Sequence, residues 1–303
     1  MTNLLQKNPF SVYDFLGYLF PGACMLFFII ISINLTEYTV KDILSLFTNN
    51  NFLSSISIFK SFLFILGSYV LGHILAYLSS ITIERWSLWL FGYPSEFLLD
   101  QRRNTTYWSS NVTSCSTEEV EEIDCNNLVR SLYYFLLKRL IRLMMGVLLF
   151  PISIPYLLLT AINIKGFITK PLDKYLMNSI NDKVISLMAM ISFDTPDQKS
   201  VDYSRIIYHY YIQENNHSFI QKTDNYIALY GFLRAITLTL NIMTVYLTTM
   251  SIINCNFASN YLIICTLALF SFISFLAFMK FYRRYSLEIF MFLVSDKTIK
   301  VHI

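Results

Sequence analysis

The sequence is poor in charged residues, cysteine and histidine, and each shortage excludes a class of protein. Only 14% of its 303 residues are charged, roughly half the share in an ordinary soluble domain. Among five cysteines and four histidines, Cys115 and Cys125 have no histidine near them. The positions of these residues match neither the spacing of zinc ligands nor a framework of disulfides. We therefore expect neither a metal site nor a cofactor.

Catalytic motifs are also missing from the sequence. No P-loop, no G-x-S-x-G elbow and no H-E-x-x-H motif occurs. The acidic cluster at 118–122 opens a predicted helix, where acidic side chains interact favourably with the helix dipole. A net charge of +3 is too small to indicate nucleic-acid binding. We expect that the chain is not an enzyme and does not bind nucleic acid directly.

Hydrophobic residues make up 55% of the chain and gather in long runs without charge. About 20 apolar residues in a helix cross roughly 30 Å of hydrocarbon. Such runs occupy 15–36, 61–83, 143–164 and 235–279, and the turn-like stretch 254–260 divides the last run into two. The first run is too long for the apolar core of a signal peptide, which indicates a retained span.

The run 143–164, interrupted by Pro151 and Pro155, decides the predicted topology. If it crosses the membrane, the basic segments before and after it lie on opposite faces. If it does not cross, both basic segments and the basic tail lie in the cytoplasm, as the positive-inside rule favours. We therefore predict a four-helix transmembrane bundle with both termini cytoplasmic. The run would then be a proline-broken hairpin that dips into the bilayer, or the core of the cytoplasmic part, and a fifth span remains the alternative.

The sequence thus predicts an all-α integral membrane protein in four parts. They are an N-terminal transmembrane hairpin (1–83, spans 15–36 and 61–83), a cytoplasmic helical insert (84–225), a C-terminal transmembrane hairpin (226–279) and a basic amphipathic cytoplasmic tail (280–303).

The second span carries small residues at four-residue spacing: Ser68, Gly72, Ala76 and Ser80. This small-residue ridge predicts close approach of another helix, and we expect a homo-oligomer. His73 and Glu84 point the same way, since eleven residues make about three turns. His73 is interpreted as an interhelical packing residue, or alternatively as a proton relay or pore-lining group.

The 226–253 span has a polar face that includes Arg234 and Asn241. Arg234 and Glu84 lie near the same predicted membrane surface. They are predicted to pair, unless Arg234 extends to lipid headgroups. In the tail, Lys280, Arg283 and Arg284 precede an apolar stripe. That pattern indicates binding to anionic lipid, or an ordinary stop-transfer cluster.

Four short motifs, VYDFLGYLFPG, GSYVLGHILAYLSS, WLFGYPSEFLL and FYRRYSLEIF, resemble a loose group of bacterial multi-span membrane proteins. Some members of that group are similar to membrane components of antiphage defence systems. The resemblance implies the bacterial inner membrane and a defence role, and it transfers no active-site residues.

Together these features predict an oligomeric membrane effector or scaffold. It would perturb or permeabilise the lipid bilayer when a cytoplasmic protein or small-molecule signal reaches the insert. A constitutive channel or small transporter is the alternative. A membrane-embedded enzyme centred on His73 is a third and weaker hypothesis.

Overall fold

Long apolar runs with few glycines and prolines favour helices, and the structure is built from them. The computed structural model describes residues 15–34, 58–100, 125–161, 169–190, 202–212, 217–254 and 257–295. All regular secondary structure within these ranges is helical. The predicted all-α class is therefore confirmed for the part of the chain that is described.

Ten α-helices follow one another along the described ranges. They are α1 (Phe20–Asn34), α2 (Ile58–Ser79), α3 (Arg85–Phe91), α4 (Pro94–Leu98), α5 (Cys125–Leu148), α6 (Phe150–Ala161), α7 (Lys174–Met190), α8 (Tyr203–Ile207), α9 (His217–Ile253) and α10 (Phe257–Ser295). Short π-helical turns occur at Phe15–Leu19, Ser80–Glu84 and Tyr208–Ile212.

Three helical stretches are long and apolar enough to cross a membrane: Ser61–Leu98, Lys222–Ile253 and Asn260–Ser295. They contain the predicted spans 61–83, 226–253 and 261–279, and they fit a membrane protein. The first predicted span, 15–36, corresponds to a shorter apolar helix at Gly17–Ser32. The pair Leu136–Leu148 and Phe150–Thr160 is bent by 97°, and would be a fourth span only if the two arms were counted together.

The chain forms two compact units. Unit 1 contains Met1–Ile83 and Asp224–Phe281, and unit 2 contains Glu84–Thr223 and Tyr282–Ile303. In unit 1, Ala235 and Leu238 of α9 and Phe272, Phe275 and Phe278 of α10 are buried. α2 turns large apolar side chains outward, among them Phe62, Ile65 and Val70, as a lipid-facing helix would.

In unit 2, α3 and α4 contribute Trp86, Phe91 and Phe97 to the core, and α10 contributes Tyr285 and Phe290. The first part of the predicted tail is therefore the end of α10 and packs inside unit 2. Lys183 donates hydrogen bonds to the carbonyls of Leu293 (3.0 Å) and Val294 (2.9 Å). A cation beside the last carbonyls stabilises a helix C-terminus.

Two predicted features lie outside the described residues. These are the acidic cluster at 118–122 and the end of the tail at 296–303.

Candidate functional site: a buried polar column

The backbones of α1 and α2 meet at two glycines. A Cβ atom added to Gly72 would overlap the backbone of Tyr18, and one added to Gly22 would lie 2.6 Å from the backbone nitrogen of Gly72. Ser68 is fully buried beside them. At Ser68 and Gly72, the segment that approaches α2 closely is α1 with the π-helical turn before it, in the same chain.

The other two residues of the predicted ridge are less enclosed. Ala76 and Ser80 are only half-buried, whereas Ser79 is fully buried. The packed edge of α2 therefore turns from Ser68 and Gly72 towards Ser79. Assembly of several copies through the ridge stays a prediction.

His73 lies on the exposed side of α2 among aromatic rings. Its imidazole stacks on Tyr18 with ring centres 3.9 Å apart, and it meets Tyr69 edge-on at 4.6 Å. Its ring nitrogens make no hydrogen bond within the described part of the chain. The contacts position the ring and leave both nitrogens available to a further partner.

Arg234 reaches from α9 to the C-terminal end of α2. Its Nε donates a hydrogen bond to Ser79 Oγ (3.1 Å), and its Nη2 donates to the carbonyl of Ala76 (3.4 Å). Ser79 Oγ in turn donates to the same carbonyl (2.8 Å). The guanidinium therefore binds a hydroxyl and a backbone carbonyl where α2 continues into the π-helical turn Ser80–Glu84. Glu84 belongs to unit 2, and its predicted pairing with Arg234 stays a prediction.

Further along α9, the polar residues Thr237, Asn241 and Thr244 are almost completely buried. The threonine hydroxyls donate to carbonyls of their own helix, Leu233 and Leu240. Ser271 of α10 donates to the carbonyl of Thr237 at 3.4 Å. We call this set the polar column: Ser79, Arg234, Thr237, Asn241, Thr244 and Ser271.

Asn241 differs from its neighbours in the polar column. Its side chain is 1% exposed, and its Nδ2 has no hydrogen-bond partner among the described residues. A buried donor without a partner costs about 1–3 kcal/mol. A water molecule or a further polar side chain would satisfy this donor.

The basic residues of the tail largely have protein partners. Arg283 Nη2 donates to the carbonyl of Lys170 (2.8 Å), and Arg284 pairs with Glu288 (2.9 Å). Lys280 is exposed. Binding of this cluster to anionic lipid stays a prediction.

A second polar cluster lies in unit 2, and sequence reasoning missed it. Asp202 Oδ1 accepts hydrogen bonds from Ser95 Oγ (3.1 Å) and Ser204 Oγ (2.6 Å). It also accepts from the Arg205 backbone N–H (3.4 Å), which makes Asp202 the N-cap of α8. Ser286 lies 3.0 Å from Ser204, oxygen to oxygen. The cluster ties three chain segments of unit 2 together.

Comparison of the chain with protein-family models, with curated proteins and with solved structures gave no match. Within the described residues, no group of three His, Cys, Asp or Glu side chains is placed to hold a metal ion. The polar column is the candidate site in unit 1 because it holds a buried donor that has no partner among the described residues.

Proposed function

We propose that this chain is a multi-pass protein of the bacterial inner membrane, with both termini in the cytoplasm. It acts as an oligomeric effector or scaffold and alters membrane permeability when a cytoplasmic protein or small-molecule signal reaches unit 2. The assignment to antiphage defence rests on the four motifs quoted above. The role in permeability rests on the polar column.

The observation that carries this proposal is the buried Nδ2 donor of Asn241, which has no hydrogen-bond partner among the described residues. Around it, unit 1 presents apolar side chains outward on α2 and encloses polar ones on α9. Hydrocarbon offers the Asn241 amide no hydrogen bond. Water entering between the helices, or a polar side chain of another copy, would supply one. Both events accompany the opening or assembly of a membrane effector.

The proposal is tested by following membrane potential with a voltage-sensitive dye while the protein is induced in bacteria. We expect depolarisation with the parent and loss of most of it with Asn241→Leu, which keeps the branching of the side chain without its polar groups. The matched control is Thr249→Leu, because Thr249 is exposed on the same helix and its hydroxyl donates to the carbonyl of Val245 one turn before it. The three proteins must reach the same level in the membrane.

Parent-like depolarisation by Asn241→Leu would show that the polar column does not carry permeability. An unchanged potential with all three proteins would show that the protein does not permeabilise the membrane without its signal, and would favour the scaffold role.

A constitutive channel is the second candidate, because an unpaired buried amide also suits a water-filled path. Steady ion flux through purified protein in vesicles, without growth inhibition in cells, would favour it over the effector.

A further inference from the structure

The bent pair formed by α5 and α6 exposes an unusually large apolar surface in unit 2. Its arms, Leu136–Leu148 and Phe150–Thr160, meet at 97°. We call them the elbow. Val147 and Met144 are 65% and 62% exposed on the first arm, and Leu157 and Leu158 are 62% and 61% exposed on the second. Neighbouring large apolar side chains are exposed as well: Leu136, Leu140, Ile141, Leu143, Leu148 and Ile154.

The inner side of the elbow packs against other residues of unit 2, so its outer face points away from them. Leu149 and Ile152 at the corner are 0% exposed. Tyr156 meets the rings of Trp86 and Phe91 edge-on, with centres 6.0 and 5.3 Å apart. Ser153 Oγ donates to the carbonyl of Gly146 (2.9 Å) across the bend. The corner of the elbow therefore contributes to the core of unit 2, and the outer face is the exposed side of a packed element.

The chain segments on either side of the elbow are hydrogen-bonded to each other. The N–H of Leu172 donates to the carbonyl of Leu98 at 3.1 Å, and Ser95 Oγ donates to Asp202 at 3.1 Å. A crossing between these segments would separate them by the roughly 30 Å of the hydrocarbon layer. The contacts therefore require that the chain cross the membrane an even number of times, or not at all, between 98 and 172. The elbow can supply at most one crossing, and a single crossing would break the contacts.

Length and charge point to one particular environment for the exposed face. The two arms are about 20 Å and 16 Å long at 1.5 Å per residue, too short to cross singly. Lys138 and Arg139 are exposed on the first arm, before its most apolar part. Basic residues beside an apolar face suit phosphate headgroups above acyl chains.

We propose that the elbow is embedded in a single leaflet of the bilayer without crossing it. Its outer face contacts acyl chains, and Lys138 and Arg139 lie at the level of anionic headgroups. This anchor holds unit 2 against the membrane surface. It requires neither an oligomer nor a pore, so it stands apart from the proposed effector role.

The depth of the elbow is measured with single cysteines in a variant whose five native cysteines are replaced. Val147→Cys and Leu158→Cys report on the outer face, and Tyr175→Cys in α7, where Tyr175 is 93% exposed, is the matched control. Each cysteine carries an environment-sensitive fluorophore, and the full chain is reconstituted in vesicles of phosphatidylethanolamine and phosphatidylglycerol. All three positions are exposed, so the fold should tolerate the labels.

We expect lipid-borne quenchers to reduce emission at 147 and 158, and iodide to reduce it only at 175. A membrane-impermeant maleimide should label Lys138→Cys and Tyr175→Cys from the same side in sealed vesicles. Opposite-sided labelling would make the elbow a broken span and overturn the proposal. Emission at 147 and 158 that resists lipid quenchers would also overturn it, since protein would then cover the face.

Discussion

Gly72 is a residue whose missing side chain determines how α1 and α2 pack. A Cβ there would overlap the backbone of Tyr18, and backbone cannot rotate away as a side chain can. We predict that Gly72→Ala lowers the stability of unit 1 by about 1–3 kcal/mol, the usual cost of overpacking. The measurement is thermal unfolding of the purified full chain in detergent.

The matched control is Gly231→Ala in α9, where an added Cβ meets nothing within 4 Å. Alanine should be neutral there or stabilise the helix by up to about 1 kcal/mol. Equal melting temperatures for the two variants would show that α1 and α2 do not pack through Gly72. The same reasoning makes a bulky residue at Gly72 unsuitable as a probe of oligomer formation, because it would first disturb the fold of one chain.

Helix geometry explains why the sequence identified Ser68 and Gly72 and missed Ser79. Each four-residue step advances about 40° around a helix with 3.6 residues per turn. Ser80, three steps beyond Ser68, is rotated by about 120°, whereas Ser79, eleven residues beyond, is rotated by only about 20°. Residues chosen at strict four-residue spacing therefore lie on the packed edge of α2 only at the first two positions, Ser68 and Gly72. Arg234 and Asn241 were identified because polar residues stand out in an apolar span, whereas the Arg234 partner depends on the tertiary fold.

At the scale of elements, Asp202 connects α8, α4 and α10 through Ser204, Ser95 and Ser286. We predict that Asp202→Ala destabilises unit 2 by about 2–3 kcal/mol, because α8 loses its N-cap and two buried hydroxyls lose their acceptor. Limited proteolysis of the full chain should cut unit 2 faster. Protection in unit 1 should change less.

Asp182→Ala in α7 is the control for this prediction. Asp182 is exposed, and the contact it makes with Ser186 uses its backbone carbonyl, which alanine keeps. If both variants were digested at the parent rate, Asp202 would contribute only a solvent-exposed cap.

Local sequence patterns predicted the helices but not their long-range partners in unit 2. Apolar runs and the charged residues at their ends predicted the positions of α2, α9 and α10. An apolar run of membrane length has to satisfy its own backbone hydrogen bonds, which a helix does. The sequence pattern predicts an amphipathic tail at the end of α10 because it contains a basic cluster and an apolar stripe, and nothing else. Its contacts with Lys183 and Ser204 lie about a hundred residues away along the chain, and no local periodicity encodes them.

At the scale of the whole molecule, hydrogen bonds within unit 2 restrict the topology more than hydropathy does. Arg283 at the end of α10 bonds to Lys170, and Leu98 bonds to Leu172. If the long helices cross a bilayer, the described segments 84–100, 169–190, 202–212 and 282–295 therefore lie on one side of it. The positive-inside rule leads to the same arrangement from charge alone. The hydrogen bonds and the charge distribution thus independently favour two crossings, by α9 and α10, between the unit 2 segments that precede α9 and the segment at the end of α10.

This topology predicts the side of three exposed positions: Tyr175, Asn254 and Ser295. In a cysteine-free variant, single cysteines at 175 and 295 should react with an impermeant maleimide only in inside-out vesicles. A cysteine at 254, in the turn between α9 and α10, should react only in intact cells with a permeable outer membrane. Labelling of 254 and 295 from the same side would mean that α10 does not cross. Labelling of 175 and 295 from opposite sides would be incompatible with the bond between Lys183 and the end of α10, and the packing of unit 2 would then have to be revised.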